Sequence, residues 1–253
     1  MTFLGILQYY LMIAPHLLLV GVVFCLARHK LYKRFPFFLA YVVFEILQFA
    51  VLFTLILLPS TGSERYALAY SIGLGGSTLL RFAVIYEVTV QRFRRHSAVS
   101  KLAVPLFRWS VAGLVLLALS LAAYTGGGDL PGIMVVVVAL DRAASIVQCG
   151  LLLLLFGFSS YLGLSWRSHV LGIALGMGVF ASVELANTAI RSHVGRAYAS
   201  YLDLLTMATY HVCVLIWIWY LWAPEKIPAK NVQQLPEHNL EAWNQELQRF
   251  IQQ

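Results

Sequence analysis

Charge is scarce in this chain. Only 11% of its residues are Asp, Glu, Lys or Arg, while 60% are hydrophobic. A soluble domain carries about 25% charged residues, so this balance excludes an ordinary soluble fold and indicates a membrane protein. Cysteine is scarce too. Cys25, Cys149 and Cys213 all sit in apolar runs with no CxxC spacing, so neither a disulfide framework nor a zinc knuckle is indicated. No apolar run contains a lysine, which excludes a retinal Schiff base. The start, "MTFLGILQYYLMIAPHLLLV", lacks a basic n-region and a small-residue cleavage site. It reads as a retained first span, not a signal peptide.

Long apolar runs are abundant instead. A helix needs roughly 20 apolar residues to cross a hydrocarbon core about 30 Å thick. Seven runs meet that length: Phe3–Ala27, Pro36–Leu58, Leu68–Val90, Phe107–Tyr124, Pro131–Leu155, His169–Ile190 and Ser200–Trp222. Turn-rich stretches such as "PSTGSER" and "TGGGDLPG" separate them. The expected fold is an all-α membrane protein, a seven-transmembrane-helix bundle.

The net charge of +7 comes from basic residues grouped in short loops. That grouping reads as membrane topology and argues against a nucleic-acid partner. Arg28, Lys30, Lys33 and Arg34 follow span one, and five more basic residues follow span three. With Arg167 and the tail, thirteen lie on one side, against Arg65, Arg191 and Arg196 on the other. Basic loops stay in the cytoplasm, so the N-terminus is expected outside and the C-terminus inside. Residues 1–223 form the expected transmembrane domain. Residues 224–253 form a cytoplasmic linker plus a short amphipathic helix over 239–252, with Leu240, Trp243, Leu247 and Phe250 at helical spacing. That helix would rest on the lipid bilayer or dock a protein partner. The oligomeric state is not legible.

Ionisable groups inside spans carry the functional signal, because a lone charge facing lipid costs several kcal/mol. At about 1.5 Å per residue from the outer ends, His16, Glu45, Arg81, Asp141, Arg142 and His211 all fall roughly 15 to 20 Å deep. Glu184 is shallower, at roughly 9 Å. Neighbours on a helix point about 100° apart, so "DR" at 141–142 can clamp two helices. Asp141 is expected to meet Arg81, and Arg142 to meet Glu45 or Glu184. A polar ligand-binding pocket is expected at mid-depth, lined by His16, Glu45, Asp141, Arg142, Glu184 and His211. The competing reading is a dry bundle whose charges only pair. The glycine-rich faces "SIGLGGSTLL" and "LGIALGMGVF" are expected to let helices pack closely. "GLGGS" is no phosphate loop, since it lies inside a span and no GKS or GKT follows.

Three functions fit these residues. One is a ligand-binding, sensory or assembly module. Another is an intramembrane metal- or haem-binding enzyme anchored on His16 and His211, although neither lies in an HxxxH, HxxE or HExxH spacing. The last is a proton-coupled carrier using Glu45, Asp141 and Glu184. No catalytic residue or cofactor is named by the sequence.

The stretches "LQYYLMIAPHLLL", "FPFFLAYVVFEILQF", "DRAASIVQCGLL" and "FSSYLGLSWRSHVLGIALG" resemble a group of uncharacterised bacterial seven-span integral membrane proteins. The layout is also similar, in topology alone, to seven-span sensor modules of bacterial histidine kinases. The resemblance implies a multi-pass protein of the bacterial inner (plasma) membrane and supplies no activity or site residues.

Overall fold

The computed structural model describes residues 3–58, 63–93, 168–194 and 198–223. It also describes the scattered positions 109, 116, 141–142, 144–146, 148–150 and 248. Expected span four and the tail 224–253, with its helix over 239–252, lie outside the described residues apart from Trp109, Leu116 and Gln248. The described residues are helical, with no strand among them. Among the described residues, five helices are long and apolar enough to cross a membrane, as a multi-pass membrane protein requires.

The helices are α1 (Phe3–Arg28), α2 (Pro36–Leu57), α3 (Ser63–Phe93), α4 (His169–Val194) and α5 (Ala199–Trp222). They match the expected spans one, two, three, six and seven. The largest difference is α3, which extends past its apolar run at both ends. A helix needs only its own backbone hydrogen bonds to continue, so it can outrun the apolar segment that lipid demands. Residues of the fifth expected span, including Asp141, Arg142, Ser145 and Gln148, are helical as well.

Contacts run α1 to α2, α2 to α3, α3 to α4, α4 to α5 and α5 back to α1, closing a ring. Large apolar side chains cover its outside: Leu17, Leu47, Leu79 and Trp219 are all exposed. A soluble monomer rarely exposes apolar patches of more than a few hundred Å², whereas a bilayer requires such a surface.

The buried core gathers at one end of the ring. Leu19, Val22 and Leu26 of α1 meet Phe38 and Val42 of α2, Val84 and Val88 of α3, Ile173 and Met177 of α4, and Trp217 and Leu221 of α5. Trp217 is 2% exposed and stands edge-on to Phe38 and Tyr41, with ring centres 5.3 and 6.3 Å away. Glycine makes this end tight. A Cβ on Gly172 would run into Tyr220, and one on Gly176 into the Trp217 indole. The glycine-rich face of α4 is therefore a packing face. Gly73 and Gly76 of α3 do the same against Gln48 and Phe44 of α2.

The α1–α2 junction is held by polar groups reaching from α3. Pro36 opens α2, where its missing N–H costs nothing. The first free N–H groups of that helix, Phe37 and Phe38, donate to the Glu87 carboxylate at 3.2 and 3.0 Å. One turn further along α3, Gln91 accepts from Arg34 Nε at 3.1 Å and donates to the Arg34 carbonyl. Glu87 thus caps a neighbouring helix.

Candidate functional site

Arg81 lies near the middle of α3 and is 5% exposed. Its Nη2 is 2.7 Å from Asp141 Oδ1, and its Nη1 is 3.3 Å from Glu184 Oε2. One guanidinium thus joins α3 to the Asp141 segment and to α4. Arginine suits this position because its planar fork offers several donors in fixed directions.

Hydroxyl groups satisfy more of the carboxyl oxygens. Thr78 Oγ1 donates to Asp141 Oδ1 at 3.0 Å, and Ser145 Oγ donates to Glu184 Oε2 at 3.0 Å. On the other flank of α3, Ser77 Oγ donates to Glu45 Oε1. Glu45 itself makes no ion pair among the described residues. Ser77, Thr78 and Arg81 lie within one turn of α3, so this single turn addresses three acids on three other segments. Four helical segments therefore meet at one polar knot.

The expected clamp is present with a different hub. Asp141 meets Arg81, but the second arm does not run through Arg142. Arg142 is exposed and pairs with neither Glu45 nor Glu184. The turn of about 100° between neighbours explains this: with Asp141 facing α3, Arg142 faces away. Arg81 makes both ion pairs instead.

The six residues expected to line one pocket separate into three groups. Glu45, Asp141 and Glu184 belong to the knot, and Arg142 points outward. His16 and His211 lie in an aromatic cluster. The His16 ring stacks on Phe49 at 3.9 Å, and its Nδ1–H donates to the Met12 carbonyl at 2.8 Å. His211 sits 5.6 Å from the Tyr10 ring. Among the described residues, no three of His, Cys, Asp and Glu converge to hold a metal ion. An imidazole offers a flat face, and His16 uses it to stack on Phe49, while His211 meets the Tyr10 ring at a tilt.

Tyr210 links the two regions. Its ring is 5.8 Å from His16 and 5.5 Å from Phe180. It also lines a small cavity of about 10 Å³ with Tyr41, Arg81, Gln148, Phe180 and Trp217. None of the six expected pocket residues lines this space. A second cavity of similar size lies against Ile85, Val88, Gln148, Ala174 and Met177.

Gln148, Ser145 and Tyr210 were not singled out in the sequence, yet a signal for two of them was present. Ser145 and Gln148 follow Asp141 by four and seven residues in "DRAASIVQ", which places all three on one helical face. Tyr210 gave no such signal beside its ionisable neighbour His211.

At the opposite end of α4, Arg191 pairs with Asp203 of α5, both well exposed. Asn187 Nδ2 donates to the Leu202 carbonyl at 2.9 Å and to Thr206 Oγ1 at 2.5 Å. These contacts pin the α4–α5 hairpin and lie apart from the knot.

No family model, no curated protein and no solved structure matches this chain.

Proposed function

We propose that the protein is a sensory membrane module whose ligand is a proton, bound in the Arg81 knot. The observation that carries this reading is the charge balance. Arg81 faces Asp141 and Glu184, with Glu45 one hydroxyl away, and Arg142 faces outward. Among the described residues, one cation, Arg81, then faces these three carboxyls. Uncompensated charge inside a membrane is costly, and a bound proton removes it in the smallest volume. The adjoining cavity, about 10 Å³, favours a proton over an organic ligand.

The wider setting we propose is a seven-helix bundle in a bacterial inner membrane, N-terminus outside and C-terminus cytoplasmic. Five described helices and the thirteen-to-three basic asymmetry support it. The tail helix over 239–252 is then placed to pass the state of the knot to a protein partner.

The test is proton uptake by purified protein in lipid nanodiscs, read with a pH-indicator dye and with tryptophan fluorescence. Wild type should show a proton-linked transition that Glu45→Gln removes or moves. Identical curves for wild type, Glu45→Gln, Asp141→Asn and Glu184→Gln would defeat the proposal. A second reading, a proton-coupled carrier, uses the same three carboxyls on three separate segments. Substrate flux in proteoliposomes that collapses with the proton gradient would favour the carrier.

A further inference from the structure

The knot leaves polar atoms unused on its buried side. Among the described residues, Arg81 Nε has no hydrogen-bond partner, nor does either end of the Gln148 amide, nor the Tyr210 hydroxyl. Arg81 is 5% exposed and Gln148 3%. All three residues line the same cavity of about 10 Å³. Unpaired buried groups of this kind cost about 1–3 kcal/mol each, and native interiors satisfy nearly all of them.

We propose that this cavity is a binding site for one internal water. The chemistry of the lining selects water. Arg81 Nε–H and Gln148 Nε2–H donate, Gln148 Oε1 accepts, and the Tyr210 hydroxyl can do either. A water that accepts from Arg81 and donates to Gln148 or Tyr210 gains two to four bonds, as buried waters do. A metal cation is repelled by Arg81. An anion is opposed by the three carboxyls. An organic molecule does not fit. The volume is on the order of a single water.

Gln148 lines both cavities, with both ends of its amide unpartnered. The second cavity sits against Ile85 and Val88, one and two turns along α3 from Arg81. That second cavity is otherwise lined by apolar groups, so the water and the Gln148 amide together make the polar step from the knot toward the end of the ring that carries the α1–α2 turn. This part rests on the proton reading above: the step is the route by which the knot exchanges protons with that end.

The experiment uses the full chain in nanodiscs and infrared difference spectroscopy, with H₂¹⁶O exchanged for H₂¹⁸O. Wild type should show isotope-sensitive bands of weakly bonded water. Tyr210→Phe, which removes one hydroxyl and keeps the ring, should shift or lose them, and so should Gln148→Leu. Isotope-sensitive bands absent from wild type, or unchanged in both variants, would overturn the hydration site. Proton uptake tests the route separately. Gln148→Leu should slow uptake by about tenfold, a barrier increase of about 1.4 kcal/mol, while the number of protons taken up stays the same. Unchanged rates with lost water bands would overturn the route and leave proton binding intact. Loss of uptake in Glu45→Gln bears on proton binding alone, so the two failures remain distinguishable.

Discussion

Arg81→Gln removes the hub of the knot, and the structure sets the size of the effect. The guanidinium is 5% exposed and holds Asp141 at 2.7 Å and Glu184 at 3.3 Å. Breaking a buried pair by deleting one partner typically costs 3–5 kcal/mol, because the remaining charge is stranded. The Asp141 and Glu184 side chains keep 15% and 25% exposure, which moves the expectation toward the lower end, about 3 kcal/mol. Asp141→Asn should cost less, about 1–2 kcal/mol. The amide keeps an oxygen for Thr78, and Arg81 keeps Glu184. The double variant should be milder than the sum by about 1–3 kcal/mol, since neither change strands a charge the other has already removed. The assay is reversible unfolding in mixed micelles with increasing SDS, followed by circular dichroism. Arg142→Gln is the control and should not lower the midpoint, because it breaks no ion pair among the described residues and removes an outward-facing charge. Additivity within about 0.5 kcal/mol would show that Arg81 and Asp141 are not coupled, and the knot would lose its energetic meaning.

Other consequences follow from the packing and the caps. Gly176→Leu should destabilise by at least about 1–3 kcal/mol in the same unfolding assay, because Trp217 occupies the space a side chain needs; an unchanged midpoint would show that α4 and α5 are not in close contact. Glu87→Ala should cost about 1 kcal/mol by freeing the Phe37 and Phe38 N–H groups, and Glu87→Gln should recover part of it by keeping one acceptor. A reporter enzyme active only outside the cytoplasm, fused after Gln253, should be silent; a strong signal would reverse the orientation.

The helices were legible because lipid imposes one rule, and a run of twenty apolar residues satisfies it in one way. Pro36 marked the start of α2, and His169 and Trp222 bounded their helices to the residue. The Asp141–Arg81 contact was also within reach, because depth along a span follows from residue counting and unlike charges at one depth attract. Rotation about the helix axis was not. Counting gives the level of Arg142 but not which side faces the ring, and that angle sent it outward. The histidines failed for another reason. Ionisability marked them as polar, while in the structure their rings pack as aromatics against Phe49 and Tyr10. Uncharged groups were the other blind spot. Ser77, Thr78, Ser145 and Gln148 carry no charge to draw attention, yet they supply the hydrogen bonds or face the cavities.

The position of the knot suggests how a change in its charge would be expressed. Its four segments are not equally free along their lengths. Toward the α1–α2 turn, glycines on α4 bring Trp217 and Tyr220 into close contact, and Glu87 and Gln91 fasten α3 to the start of α2. Interiors packed this tightly resist small displacements. Beyond the knot, Gly73 of α3 still packs closely on Gln48 of α2, while the faces turned from the ring, with Leu47, Val51, Ile56, Leu68 and Ile72, are exposed. On the proposed reading, a proton added among Glu45, Asp141 and Glu184 would change which carboxyl holds Arg81, and so the pull of α3 on its neighbours. The fastened end cannot take up that change without disturbing its core. On the proposed proton reading, the Arg81 knot would be a charge-sensitive joint set beside a tightly packed base.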